Sequence, residues 1–351
     1  PPAAWCYTGG LENHPEVIAA VSRDRRLWGN SPEAVKKVRD PAALAAAVRA
    51  AGLDVPETID DVALVPVDGS FLCKPRHSAG GRGIHRWFGD HDDAAATHAR
   101  VWQRFVPGRS WAASFLLGIE KPRLLGLSRQ FTGLAWCHAR PFAYCGSLDL
   151  PLAAVDRRIF GQLERLGAVL AETCGAVGLV GVDLVADTAD RLTVIEVNPR
   201  PTASMELHER STGESLAAAH VAACGGPSPA GPPPVAAPGF WAKSVLFAGD
   251  TVEVSSAMID ALVDLTSPWS HEDGRPAVAD IPCPPQRIDS GRPLVTVFAR
   301  GCTPRDAWRT LARRTVRVDS LFRRDAARLP GVGQPASRRD DAAAGVSAPR
   351  L

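Results

Sequence analysis

Apolar residues recur along this chain with two periods, and the periods divide it into elements. Around 155–174 they recur every three to four positions, with Ile159, Leu163, Leu166 and Leu170 on one face, which predicts an amphipathic helix. Helices are also expected at Pro15–Arg23, as two short segments within 31–52, at Asp92–Ala99, near 213–224 and over 305–316. Ser31-Pro32 and Asp40-Pro41 supply N-cap and N1 signals for the short pair, and Gly52 stops the second. Short β-type runs fill 61–118: VALVPV, SFLCKP, IHRWF, VWQRFVPG and SWAASFLLG. Further strands are expected at 123–131, 134–139, 178–186 and 192–198, and in AKSVLFAG and PLVTVFARG. The Pro/Gly-rich stretch 226–239 reads as a connector, and the chain from about 325 has no apolar periodicity and reads as disordered.

One strand breaks the pattern. In LTVIEVNPRP, Val194, Glu196 and Asn198 share one face, and Thr193, Ile195 and Val197 share the other. A carboxylate on a largely apolar strand is costly unless it is paired or holds a cation. Thirteen residues earlier, Asp183 interrupts GLVGVDLVA, and the ADTADR turn between the two runs makes a hairpin that can bring Asp183, Glu196 and Asn198 to one face. Two carboxylates and an amide oxygen are hard ligands, suited to Mg²⁺ or Mn²⁺ and not to zinc. The competing explanation is a structural ion pair with an arginine.

A second break lies in FLCKPRHSAGGRGIHRW, where Lys74 on a short apolar strand precedes a loop with Gly80, Gly81 and Gly83. Glycines let successive backbone N–H groups turn toward an anion, and the lysine adds a point charge. The order, lysine first and glycines second, is neither G-x-x-x-x-G-K-[ST] nor G-x-G-x-x-G. A hairpin turn beside a snorkelling lysine would look the same.

Composition narrows the classes. The chain has 351 residues, enough for two or three cores, with a formal charge of +2. That balance gives no electrostatic case for nucleic acid or an anionic membrane surface. No apolar run approaches the roughly 18 residues of a membrane span. The start, PPAAWCYTGG, is not a signal peptide and reads as the interior of a domain. Eight cysteines without a C-x-x-C pair point to free thiols in a reducing compartment, and so to the cytoplasm. Only five of the forty basic residues are lysine, which makes Lys74 easier to single out.

Lysine and glycine loop, then QRFVPG, then G-x-D-L and IEVNPRP, in this order, resemble the ATP-grasp superfamily over residues 30–225. DIPCPPQRIDSGRPLVTVFARG at 280–301 is similar to the C-terminal segment of its biotin-carboxylase-like branch. The pattern looks like that of ATP-dependent carboligases, some of which are tied to tetrahydromethanopterin-linked one-carbon metabolism. The resemblance implies an α/β ATP-grasp fold, with a small β-rich lid at 59–108 and a larger mixed-sheet domain over 109–225 and 240–324. Residues 1–58 would be the remnant of an N-terminal Rossmann-like domain and its connecting helices, and 325–351 a tail.

It also implies roles. Lys74 would hold the phosphates of ATP, under a lid formed by Gly80, Gly81 and Gly83. QRFV would be the adenine hinge, with backbone groups of Arg104 and Val106 reading the base and Gln103 nearby. Asp183, Glu196 and Asn198 would bind one or two Mg²⁺ ions, and Arg200 would stabilise the transferring phosphoryl group. The implied reaction joins a small-molecule carboxylate to an amine through an acyl phosphate, releasing ADP. A carboxylase subunit or a non-catalytic ATP-binding protein are the alternatives. The sequence itself sets no oligomeric state, and a homodimer would be unsurprising by base rate.

The chain departs from the family pattern in three places. A phosphate-side lysine is replaced by Arg39 or shifted to Lys37, Asp183 is shorter than the usual glutamate, and Ser204 stands where biotin carboxylase has its bicarbonate-activating glutamate. His77, His85 and His138 are further candidates for ligand contact. Arg129, Tyr144 and Ser147 are candidates to grip a carboxylate, and Cys145 reads as an ordinary thiol.

Overall fold

The computed structural model describes residues 3–89, 99–118, 121–228, 231, 239–269 and 274–326. Most of the helix expected at Asp92–Ala99, part of the connector and nearly all of the tail lie outside the described residues. In chain order the first elements are α1 (Pro15–Ser22), α2 (Pro32–Arg39), α3 (Pro41–Ala50), β1 (Thr58–Ile59), β2 (Phe71–Pro75), β3 (His85–Arg86) and β4 (Arg100–Arg104). Then come β5 (Arg109–Leu117), β6 (Arg123–Thr132), β7 (Tyr144–Leu150), α4 (Arg157–Cys174), β8 (Gly178–Ala186), β9 (Leu192–Asn198), α5 (Met205–Thr212) and α6 (Leu216–Ala223). The last are β10 (Phe240–Phe247), β11 (Val252–Val254), α7 (Ser256–Thr266), β12 (Val278–Ala279), β13 (Gln286–Ile288), β14 (Pro293–Gly301) and α8 (Pro304–Ala326).

The helix starts follow the caps read from the sequence. Ser31 Oγ accepts from the Ala34 N–H at 3.2 Å and Asp40 Oδ1 from the Ala43 N–H at 2.7 Å, each with a proline at the first helical position. These caps break α2 from α3 and leave Arg39 at the end of α2, a position the site below uses.

The chain divides into two compact units, Pro1–Gln130 with Asp149–Ala236, and Phe131–Leu148 with Ala237–Leu351. In the first, β1-β4-β2-β3 form a small sheet and β6-β5-β8-β9 run side by side in a larger one. α4 buries Leu163, Leu166 and Leu170 against Phe115, Val180, Val182 and Val194. Each such side chain contributes about 1.5–3 kcal/mol by leaving water. The cluster, Val194 and Val197 included, covers one face of β8 and β9. Glu196 was expected to share a face with Val194, but a bulge between the Asp183–Glu196 and Leu184–Val194 pairs turns them to opposite faces and leaves Asp183 and Glu196 for chemistry. In the second unit the strand order is β12-β14-β10-β7, and α8 packs Trp308 on Phe131 and Trp136, with ring centroids 4.3 and 5.5 Å away.

Three expectations are corrected. The strand ladders within each unit are antiparallel, where a mixed sheet was expected, and the parallel pairings are isolated bridges, Trp5 with Leu27 and Asp54 with Thr193. VALVPV holds a 3₁₀ turn at Val62–Leu64, capped by Asp61, and not a strand. The run at 134–139 is a 3₁₀ turn over Ala135–Cys137, and the strand falls at Tyr144–Leu150 instead. The helix expected near 213–224 is α6, while α5, which Gly213 ends with a φ of 73°, was not anticipated. α7, capped by Ser255 and burying Met258 and Leu262, was not anticipated. Among the described residues no helix is long and apolar enough to cross a membrane.

Candidate active site

The β8–β9 hairpin sets Asp183 directly opposite Glu196, and Gly181 opposite Asn198. Antiparallel partners lie about 4.5–5.5 Å apart, so two like charges face one another. Gln130 on β6 donates to Asp183 Oδ1 at 2.8 Å and Asn198 Nδ2 to Oδ2 at 3.1 Å. Even so, burial and then the Glu196 charge raise the Asp183 pKa to about 6, against the pull of those two bonds and of Lys74. The two facing carboxylates thus repel one another in a buried place. A hard divalent cation would relieve this repulsion, and the donor chemistry fits Mg²⁺ or Mn²⁺. The Asn198 carboxamide is turned differently from the expected ligand: its oxygen accepts from Arg200 Nη2 at 3.3 Å and its nitrogen serves Asp183. Among the described residues no three His, Cys, Asp or Glu side chains form a metal cluster, and the two acids would be the direct ligands of such a cation.

Cations ring this pair. Arg39 Nη1 donates to Glu196 Oε1 at 2.7 Å, while its Nη2 reaches Asn13 Oδ1 at 2.7 Å and the Arg76 carbonyl at 3.0 Å. Arg39 thus links α2, the small sheet and β9 from one guanidinium. Lys37 is turned elsewhere, to the Thr173 carbonyl at 3.5 Å. Lys74 donates to Gln103 Oε1 at 2.9 Å across the β2–β4 pair. Burial holds the Lys74 ammonium below its usual pKa, and Arg39 adds to this, while Glu196 and Asp183 favour its charged form. A desolvated lysine between two acids is poised for an anionic ligand.

Arg200 sits at the end of β9, and residues far away in sequence build its turn. Asn30, fully buried, donates to the Val177 and Pro199 carbonyls at 2.9 Å each and accepts from the Val177 N–H at 2.8 Å. Tyr7 donates to the Pro199 carbonyl at 3.3 Å. Asn30→Ala therefore orphans several buried backbone groups at once, and it is expected to lower the unfolding free energy by about 2–4 kcal/mol in urea denaturation, at about 1–3 kcal/mol per unsatisfied group. A loss under about 1 kcal/mol would show that this turn does not depend on Asn30.

The remaining candidates fall where their strands put them. Gly80, Gly81 and Gly83 all have φ between 63° and 77°, the left-handed region a compact anion-facing loop requires. At the hinge, the Arg104 side chain pairs with Glu57 at 2.6 Å and its N–H is given to the Glu57 carbonyl at 2.8 Å. Of its backbone groups only the carbonyl remains a hinge candidate, alongside Val106. His77 stacks on His14 at 6.3 Å, and His85 is 3.3 Å from the Gly83 carbonyl. Strand alternation turns Arg129 over the Trp111 ring and gives Gln130, its neighbour, to Asp183. In the second unit His138 meets Asp319 at 2.9 Å, the Tyr144 and Ser147 hydroxyls are 2.9 Å apart, and Cys145 is fully buried. Ser204, at the start of α5, is buried against the Thr202 hydroxyl at 3.2 Å.

Within the first unit a cleft of about 490 Å³ is lined by Arg39, Lys74, Arg76, Gln103 and Glu196 at a charged part and by Leu44, Val55, Pro56, Val101 and Val194 at an apolar part. Reading the residues alone had missed Glu12, Asn30 and Gln130, which support or complete this site. Their only signals were a Gly-Gly-Leu-Glu turn, an Asn closing a short element, and period-two alternation on β6.

Residues 38–204 match the family model for the ATP-grasp domain, so this part of the chain is an ATP-grasp domain. Its structure resembles carboxyaminoimidazole ribonucleotide synthase from Aspergillus clavatus, complexed with ATP, at TM-score 0.65 and 13% identity over 88% of this chain and 80% of that one. It also resembles N5-carboxyaminoimidazole synthetase from Staphylococcus aureus, complexed with ADP, at TM-score 0.63 and 15% identity, covering 88% and 80%. Biotin carboxylase from Campylobacter jejuni matches at TM-score 0.60 and 13% identity, covering 88% and 73%. At these identities the likeness shows the fold. No curated protein matches the sequence.

Proposed function

We propose that this chain is an ATP-dependent ligase that activates a small-molecule carboxylate as an acyl phosphate and passes the acyl group to an amine, releasing ADP and phosphate. The convergence of Lys74, Arg39 and Glu196 on one cleft, with Asp183 opposite Glu196, is the observation that supports it most. The apolar part of the cleft suits a purine and the charged part its phosphates. β1–β4 with the glycine loop is the proposed lid, and Arg104 and Val106 the hinge. Asp183 and Glu196 would hold Mg²⁺, which neutralises phosphate oxygens as charge builds. Arg200 offers a planar fork to the transferring phosphoryl group, and Lys74 a point charge to the nucleotide phosphates. Eight unpaired thiols support a reducing, cytoplasmic setting.

A bicarbonate-activating carboxylase is the second reading. Ser204 disfavours it, because a buried hydroxyl bonded to Thr202 is no base near neutral pH.

Lys74→Ala removes a charged donor from this cleft. ATP affinity is expected to fall about 10–100-fold, since a hydrogen bond to a charged group is worth about 1.5–3 kcal/mol. Titration calorimetry with Mg-ATP checks this, and unchanged affinity would remove Lys74 from the nucleotide site.

A further inference from the structure

Arg200 is held by a residue 188 positions earlier in the chain. Its Nε donates to Glu12 Oε1 at 2.6 Å, and the other Glu12 oxygen accepts the Gly10 N–H at 2.7 Å. Gly10 reaches that oxygen through a φ of 103°, which a residue with a Cβ rarely adopts. The pair is withdrawn from water, with side-chain exposures of 13% for Arg200 and 2% for Glu12. Arg200 Nη1 further donates to the Pro201 carbonyl at 3.0 Å and Nη2 to Asn198 Oδ1 at 3.3 Å. A guanidinium has five N–H groups. Three are fixed by the protein, and two have no acceptor among the described residues.

A buried ion pair is a poor device for stability, because desolvation can outweigh the attraction. It is a good device for orientation. A side chain with four rotatable bonds is locked at Nε, at Nη1 and at Nη2. The counter-charge also means that the guanidinium is nearly neutralised, so what remains for a ligand is directed hydrogen bonding and little bare attraction.

We propose that Glu12 is a positioning residue, which fixes the Arg200 plane so that its two remaining N–H groups are pre-set for an oxyanion of the transferring phosphoryl group. The inference rests on the ligase reading for the identity of that oxyanion. Asn198 ties the same guanidinium to Asp183, so the arginine and the carboxylate pair are held in one hydrogen-bonded chain. A merely structural Glu12 would affect stability and all ligands alike. A positioning Glu12 affects the ligand state in which the phosphoryl group is mimicked.

The test uses the full chain with Mg-ADP, alone and with orthovanadate as a phosphoryl mimic, in wild type, Glu12→Gln and Glu12→Asp. Glu12→Gln keeps an acceptor oxygen for Arg200 but loses the charge and the Gly10 contact; Glu12→Asp keeps the charge and draws it back, and serves if the first variant folds poorly. ADP affinity is expected within about twofold of wild type in both variants, while the tightening that vanadate gives falls about tenfold or more. In an Arg200→Lys background, Glu12→Gln should add nothing, since both act through one group. A wild-type vanadate effect in both Glu12 variants would overturn the inference, as would ADP and ADP-vanadate affinities falling together. Failure of the wild-type chain to bind ADP, or to respond to vanadate at all, would instead count against the ligase reading.

Discussion

Glu196→Gln removes metal-dependent turnover: ADP release at saturating ATP falls about 100-fold or more, while the melting temperature stays within about 4 °C of wild type. The two halves of this expectation have separate causes. Glutamine keeps an oxygen that can accept from Arg39 Nη1, now 2.7 Å from Glu196 Oε1, so the contact tying α2 to β9 survives in weaker form. The negative charge does not survive. Removing it also relieves Asp183, whose pKa is raised partly by Glu196, so the fold loses a repulsion as well as an attraction. Metal affinity at the proposed site would have no such compensation, because one of its two hard anionic ligands would become a neutral amide. A magnesium titration of turnover in both proteins checks this. Wild-type rates in the variant at moderate Mg²⁺ would remove Glu196 from the metal site.

Arg200→Lys slows the chemical step about 10²–10³-fold, the range for losing a pre-set donor to a developing oxyanion. Lysine cannot make the three fixed contacts to Glu12, Pro201 and Asn198 and still offer a fork. Its ammonium would be drawn to Glu12, leaving no directed pair of N–H groups. In the proposed site Lys74 and the glycine loop hold the nucleotide, so the Kd for ATP should change little. Single-turnover kinetics separate the two quantities; a loss confined to ATP affinity would show that Arg200 binds substrate without acting in the transfer.

How much of this could be read from the chain depends on the range of the interaction. The β8–β9 hairpin was legible because an apolar run, a polar turn and a second apolar run mark it locally, and Asp183 does face Glu196, but the bulge that parts Val194 from Glu196 was not. α2 and α3 were legible through their caps, and α4 through its apolar face. The strand at 144–150 was not, because Gly146 and Ser147 dilute the period-two signal, and the apolar residues at 134–137 drew the expectation to a 3₁₀ turn. In the site, Lys74, Glu196 and Arg200 stand out as charges on apolar strands. Glu12, Asn30 and Gln130 do not, since their partners lie 188, 169 and 53 residues away and nothing local marks them. Arg129 and Gln130 show the sharpest limit: a shift of one position moves a side chain to the opposite face of the sheet. The charge on Arg129 drew attention, and the strand gave its neighbour to Asp183.

The central claim is that the chain transfers the terminal phosphoryl group of ATP to a carboxylate. Its most direct test is the nucleotide product formed when the full chain meets Mg-ATP, a panel of carboxylates and hydroxylamine. An acyl phosphate is attacked by hydroxylamine at its carbonyl carbon, giving a hydroxamate and inorganic phosphate. The account predicts that one carboxylate yields hydroxamate and ADP in equal amounts, and that Arg200→Lys loses both together. AMP and pyrophosphate as the products with that carboxylate would contradict it.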